Sequence, residues 1–345
     1  MSKIPQSKEK QKSLLELVKN VEVNIDDVKA TLGQFSEKEK LNVEELFIIV
    51  YFIVNNFLNC IGGQKQLRRS NNNNPKFTDD EIITLNIVKE LCQQDSQNAW
   101  HRYIRKNYLY LFPEFICRPQ YVKRTFRLHE IICFFQQHLC NLVGANTGKY
   151  YLVDSFPISL CNLQRLKSSS QPFEYYGANF GHCASKKSNY YGYKCHLVSD
   201  LRGIPIFACL TGANMSDVKA FEFVVQQMLE HRVIKTHSLC ISDKGYVGKE
   251  FQKFIQKQYG VELLSMQREY NNRGSALNQL LQKARKIIET TINLLVNEFS
   301  LSATKRRSIK GLANSISNKI AAFNLANFLN YLSDLPVLQV KGFVF

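Results

Sequence analysis

Apolar positions in the first 140 or so residues recur at three- and four-residue spacing, the period of a helix that buries one face. They do so in LLELVKNVEV, VEELFIIVYFIVNNFL, DDEIITLNIVKELC and FRLHEIICFFQQHLCNLV, which predicts an all-α region from Ser13 to about His138. The polar run Asn71–Pro75 interrupts it as a loop, and Thr78 and Asp79 follow as N-cap candidates for the next helix. Near Gly144 the period changes. KYYLVDSFPISL is a β-branched and aromatic strand that carries Asp154 at its end and stops at Pro157, because proline cannot continue a paired ladder. A polar, basic stretch leads to two more strands, YYGYKCHLVSD and GIPIFACLTGA, joined as a hairpin at Asp200–Gly203. An amphipathic helix from about Ser216 to His231 comes next, then a strand THSLCISD ending at Asp243 and the turn KGYVG. A helix over Lys249–Tyr259, a short strand VELLSM and a long helix from near Ala276 through Glu298 complete the series. Three strands, a helix, a strand, a helix, a strand and a helix is the order of a ribonuclease H-like α/β fold, a mixed sheet flanked by helices. The expected domains are a helical region over 1–143, the α/β domain over 144–335 and a tail over 336–345.

Charge narrows the partner. The chain has 45 Lys and Arg against 29 Asp and Glu, a formal net charge of +16, which excludes an acidic solvating chain. With 345 residues, 45% of them hydrophobic, there is apolar material for two folded units. A surplus of cations favours a polyanion, because Lys and Arg release counterions from phosphates; nucleic acid and an anionic membrane are the two choices. The apolar run Leu46–Leu58 contains two Asn and is shorter than the ~20 residues of a membrane span, so it reads as a buried helix. The N-terminus has no uninterrupted apolar segment, so no secretory signal is expected. The ten Cys include no CxxC pair, which argues against a zinc ribbon and for reduced thiols acting as small core side chains.

Within so basic a chain the carboxylates at strand ends stand out. Asp154 and Asp243 close the first and fourth expected strands, and this order of elements lays those strands side by side. On the long helix, Leu281, Arg285, Ile288, Ile292 and Leu295 keep three-and-four spacing, so Arg285 and Glu289 share a face one turn apart. Three converging carboxylates suit Mg²⁺, which takes oxygen ligands and completes its shell with water and substrate phosphate. Two such ions can activate a water or a 3′-hydroxyl and stabilise the leaving oxygen in phosphodiester transfer. The same residues also read as aspartates capping turns and as an intrahelical Arg–Glu pair worth a few tenths of a kcal/mol.

The blocks YYLVDSFPISLCN, NYYGYKCHLVSDLRGIPIFACLTGANMSD, LCISDKGYVG and LQKARKIIETTINLL resemble the successive catalytic blocks of DDE-type insertion-sequence transposases, most nearly the nine-eighty-two family of bacterial insertion sequences. The resemblance runs from about Phe77 to Leu332. It is carried by Asp154-Ser155-x-Pro157, Gly192-x-Lys194-x-His196, Asn214-x-x-Asp217, Asp243-Lys244-Gly245-Tyr246 and Arg285-x-x-x-Glu289; each is weak alone, and five in order are specific. The extension before Phe77 has no place in that pattern. The resemblance implies that Asp154 is the first catalytic Asp and bridges two Mg²⁺ ions, with Mn²⁺ as a substitute, that Asp243 is the second and that Glu289 is the terminal Glu. Arg285 then contacts a phosphate near the scissile bond.

Other residues read two ways. Gly245 permits a tight turn that keeps Asp243 accessible, or is a plain turn glycine. Lys194 and His196 share one face of a strand and point toward DNA, or are an edge Lys and a satisfied His. Asn214 and Asp217 read as the cap of the following helix. Lys305, Arg306, Arg307 and Lys310 in TKRRSIK form a phosphate-contacting surface or a solvated helix start. Trp100 and the segment Val122–Arg127 read as core and as solvated helix face rather than as DNA contacts. The expected protein is a cytoplasmic, nucleoid-associated transposase that binds terminal inverted repeats and target DNA as a homodimer and no membrane, with the helical region positioning the DNA. Its rivals are a metal-dependent nuclease that does not join ends and a non-catalytic DNA-binding derivative.

Overall fold

A computed structural model of the protein describes residues 29–30, 33, 41–62, 75–161, 173–183, 187–246, 248–265, 276–302, 306 and 308–342. The helix expected from Ser13, the Asn71–Asn74 run, Lys305 and Arg307 lie outside the described residues. The described residues divide into two units, one within Met1–Leu139 and Asn314–Phe345, the other within Cys140–Ala313.

The helical periods ahead of the first strand become α1 (Val43–Cys60), α2 (Asp79–Leu91), α3 (Gln97–Asn107), α4 (Arg118–Arg127) and α5 (His129–Leu142). The starts of α1 and α2 are written in sequence. Asn42 with Glu45, and Thr78 with Glu81, form capping boxes in which each N-cap side chain accepts the third backbone N–H and each Glu accepts the N-cap N–H. Thr78 is thus the cap, and Asp79 is the first helical residue, paired with Arg124 of α4. α1 is long and apolar enough to cross a membrane, yet it is a core helix here, with Leu46, Val50, Ile53, Val54 and Phe57 inaccessible. Trp100 is likewise fully buried, stacked near Tyr103 and tilted against Phe47. Arg124 also donates to Phe77 O, so this cation of the Val122–Arg127 segment is spent inside the unit.

The second unit is a six-stranded mixed sheet. Its strands are β1 (Tyr150–Cys161), β2 (Asn179–Cys183), β3 (Ser188–Ser199), β4 (Pro205–Gly212), β5 (Leu239–Ser242) and β6 (Glu262–Ser265). β3 is antiparallel to β1 on one side; on the other it pairs with β2 along its first half and with β4 along its second. β5 is parallel to β1, and β6 to β5. Helices α6 (Asp217–Glu230), α7 (Lys249–Tyr259) and α8 (Ala276–Asn297) follow β4, β5 and β6 respectively, and α9 (Ile309–Leu332) returns the chain to the first unit from Asn314 onward.

Two departures from the sequence reading concern strands. β1 does not stop at Pro157 but runs through it to Cys161, with Pro157 opposite Lys194. β5 pairs with β1 only over Tyr150–Val153, so beyond Asp154 that side of β1 carries no ladder with β5, and proline's missing N–H removes no bond there. β2 lies inside the stretch read as loop. Its five residues sit at a sheet margin with none fully buried, so no apolar alternation marks it. Gly192 is required where β1 meets β3: a Cβ there would stand 2.1 Å from Ile158 O, next to the bulge between Ser159 and Cys161.

Candidate active site

Val153 pairs with Ser242 across the parallel β1–β5 ladder, so the residues that follow, Asp154 and Asp243, leave it side by side. Each carboxylate is held by its own turn. The Ser155 N–H donates to Asp154 Oδ1 at 2.7 Å, and the Gly245 N–H donates to Asp243 Oδ1 at 2.9 Å. α8 supplies the next groups, and its apolar stripe decides where they fall. Ala284 and Ile288 pack with Leu152, surrounded by Ile241, Ile287 and Ile292. Buried Thr291 adds a polar peg, its Oγ1 donating to Gly203 O at 2.8 Å. With the helix so fixed, Asp154, Asp243, Leu281 and Arg285 line one cleft. Glu289 lies one turn beyond Arg285 and accepts from its Nε at 2.7 Å.

The aspartates lack compensation. Burial, then the charges of Asp243 and Glu289, push the Asp154 carboxyl up to about 7, against the lowering effect of the Ser155 N–H and of Arg285. Asp243 is raised for the same reasons, burial first, with Asp217 and Glu289 adding to it while the Gly245 N–H and Arg285 oppose it. Neither aspartate makes an ion pair among the described residues, whereas Glu289 is paired with Arg285 and Asp217 with Lys194.

Asp217 is the residue that reading by pattern misplaced. It was expected to cap α6, but Ser216 is the N-cap residue and no side chain caps that helix end. The Asp217 carboxylate turns to the sheet instead, where its Oδ1 accepts from Ser155 Oγ and from Lys194 Nζ, both at 3.0 Å. The only sequence signal was its place in Asn214-x-x-Asp217, which a helix cap explains as well.

Several expected contacts fall elsewhere. His196 is completely buried, bonded through Nε2 to Thr211 Oγ1 at 2.8 Å, and burial lowers its pKa to about 4. It does not reach DNA, because β3 is covered on both faces over most of its length. To the two readings of Lys194, a DNA contact or an edge Lys, the structure adds a third set of partners: its ammonium is engaged by Asp217 and by Met215 O, each at 3.0 Å. Arg306 is half-buried and Lys310 is exposed in the first turn of α9. Among the described residues no three His, Cys, Asp or Glu side chains are gathered closely enough to hold a metal ion, although the charges of Asp154, Asp243 and Glu289 act on one another. The two aspartates do fit a hard divalent cation in kind. They are close carboxylates without a counter-ion, and Mg²⁺ is commonly held by one or two carboxylates, with water and phosphate completing its shell.

Residues 143–309 match the family model described as Transposase DDE domain. The match supports a DDE-type transposase. The segment takes in Asp154, Asp217, Asp243 and Glu289, and transposase DDE domains depend on a divalent metal. No curated protein matches the chain. Among solved structures, the cryo-EM structure of the piggyBac transposase synaptic complex with hairpin DNA is similar over 87% of this chain and 76% of that one, at 12% identity and a TM-score of 0.44.

Proposed function

We propose that the protein is the transposase of a bacterial insertion sequence, which binds the terminal inverted repeats of its element, hydrolyses the phosphodiester at each end and joins the freed 3′-hydroxyl to target DNA. The observation that carries this reading is the pair Asp154 and Asp243, without an ion pair among the described residues, just beyond the end of the parallel β1–β5 ladder in a basic chain. The strand order β4-β3-β1-β5-β6, with three antiparallel strands followed by two parallel additions, supports a ribonuclease H-like fold.

In this reading Asp154 and Asp243 hold the divalent metal, two Mg²⁺ ions in the complete site, and Glu289 joins them on leaving Arg285. Such ions, when bound, act as Lewis acids on the phosphoryl oxygens and lower the pKa of a bound water. Arg285, released from Glu289, is placed to take a phosphate oxygen by a charge-assisted hydrogen bond. The protein's remaining task is to align attacking and leaving oxygens, since phosphoryl transfer leaves it little covalent work. Arg306 and Lys310, with Lys305 and Arg307, contact the DNA backbone, and the helical region over 1–143 positions the ends for the domain over 144–335. Two ends require two sites, hence a homodimer on DNA.

The test is Mg²⁺-dependent cleavage and joining of a labelled DNA fragment carrying the element's ends. Wild-type protein is expected to give both products and Asp243→Ala neither, with DNA binding retained in both. Cleavage without joining would leave a nuclease, and tight binding without cleavage by either protein would leave a DNA-binding derivative.

A further inference from the structure

Resting on that reading, we infer that Asp217 is a positioning residue of the same site: without ligating the metal, it ties together the strand that carries Asp154 and the turn that carries Asp243. Three observations meet in it. First, Asp217 Oδ1 accepts Ser155 Oγ and Lys194 Nζ, both at 3.0 Å, so one oxygen links the start of α6 to β1 immediately after Asp154 and to β3. Lys194 extends the tie by donating to Met215 O, just ahead of the same helix. Second, a Cβ on Gly245 would lie 3.1 Å from Asp217 Oδ2 and 3.1 Å from Asp243 Oδ1. The Asp243 turn therefore packs closely against the Asp217 carboxylate, and a side chain at that position would require the carboxylates to shift by a few tenths of an ångström. Third, the Asp217 charge is already matched by Lys194, with side chains 25% and 17% exposed. Asp217 is therefore held by an ion pair and hydrogen bonds of its own beside the two aspartates, as an outer-layer holder is.

The helix cap offered by the sequence does not account for this carboxylate, because its hydrogen bonds go to β1 and β3 and none goes to the first turn of α6. The Lys194 ammonium, for its part, is engaged by Asp217 and by Met215 O. The three side chains Ser155, Lys194 and Asp217 form one connected unit beside Asp154, just beyond the β1–β5 ladder.

Two measurements test this on the full chain. Mn²⁺ binding followed by electron paramagnetic resonance reads the site without needing DNA or turnover. Asp217→Ala is expected to weaken Mn²⁺ about 10–100-fold; Asp217→Asn, which keeps an oxygen for Ser155 and Lys194, is expected to recover most of that loss, whereas Asp243→Asn is not. In the cleavage assay Asp217→Ala should lower kcat with the Kd for DNA unchanged. Wild-type affinity and kcat in Asp217→Ala would overturn the inference and leave the proposed function standing. So would an Asp217→Asn variant as defective as Asp243→Asn, because Asp217 would then be a ligand. If Asp217→Ala does not fold, Ser155→Ala decides: it removes one donor and no charge, and an unchanged Mn²⁺ affinity would sink the idea. Failure of wild-type protein to bind Mn²⁺ would instead overturn the proposed function and this inference with it.

Discussion

In the helical unit, Glu90 is enclosed between Lys89 and Lys319, all three side chains about 95% or more inaccessible. In the α/β unit, Asp154 and Asp243 stand together without an ion pair among the described residues, Arg285 in the same cleft being bonded to Glu289. Burial penalises the carboxylate in both places. At Glu90 the two lysines overcome that penalty and hold the carboxyl below its usual range, and Lys319 is satisfied further by Asp95 at 3.1 Å. At Asp154 nothing comparable answers it, so the carboxyl rises. The first cluster is closed: its charges are matched, and it clamps α9 to α2. The second is left incomplete at the mouth of a cleft, the condition in which a carboxylate pair seeks a divalent cation. Burial of charge alone does not distinguish a structural group from a functional one. The balance of partners does.

The largest effects are expected on removing a charged group from each cluster, a carboxylate from one and a lysine from the other. Asp154→Ala or Asp243→Ala is expected to reduce end cleavage by at least about 1000-fold, equivalent to about 4 kcal/mol of transition-state stabilisation, while urea unfolding shows no loss of stability. Glu289→Ala should act in the same direction. Lys319→Met should do the reverse. Leaving the Glu90 cluster short of a cation is expected to cost about 3–5 kcal/mol in urea denaturation, with cleavage per folded molecule unchanged; a loss below about 1 kcal/mol would mean that Lys89 alone satisfies Glu90.

Acidity separates the clusters by sign. The folded-state pKa of Asp154, about 7, lies above its ordinary 3.8, so the folded metal-free protein holds that proton longer than the unfolded chain does. Its contribution to stability is complete below pH 3.8 and is lost as pH rises through 7. Glu90, lowered from 4.5, stabilises above that pH and ceases to do so as pH falls through its depressed value. Asp154→Asn should accordingly raise the Tm of metal-free protein at pH 8 by about 2–4 °C for each kcal/mol of relieved penalty, and the gain should vanish near pH 4. A Tm difference independent of pH would contradict the assignment. The smallest effect expected is on the stability of Arg285→Gln: its pair with Glu289 is 44% and 42% exposed, so calorimetry should find a change of about 0.5 kcal/mol or less, even if cleavage falls far more.

Much of this architecture could be read along the chain. α7 begins at Lys249 and ends at Tyr259, as its apolar spacing indicates, and α8 starts at Ala276 with Arg285 and Glu289 on one face. Thr78 caps α2 through a local capping box, which needs only four residues to agree. What failed depended on neighbours. β2 carries no apolar alternation because it lies at a margin, and β1 passes through Pro157 because its pairing with β5 has already ended there. For His196 the sequence left a DNA contact and a satisfied His both open, and only the covering of both faces of β3 decides for the second.

The site divides along the same line. Periodicity and strand order by themselves determined that Asp154 and Asp243 would lie on neighbouring strands and that Arg285 and Glu289 would share a helix face, because those relations follow from backbone repeat and connection rules. Only the tertiary structure decided that Asp217 turns from its helix to Ser155 and Lys194. A side chain chooses among partners by distance and by unmatched charge, and for residues 23 to 62 positions apart those are set only when the elements pack.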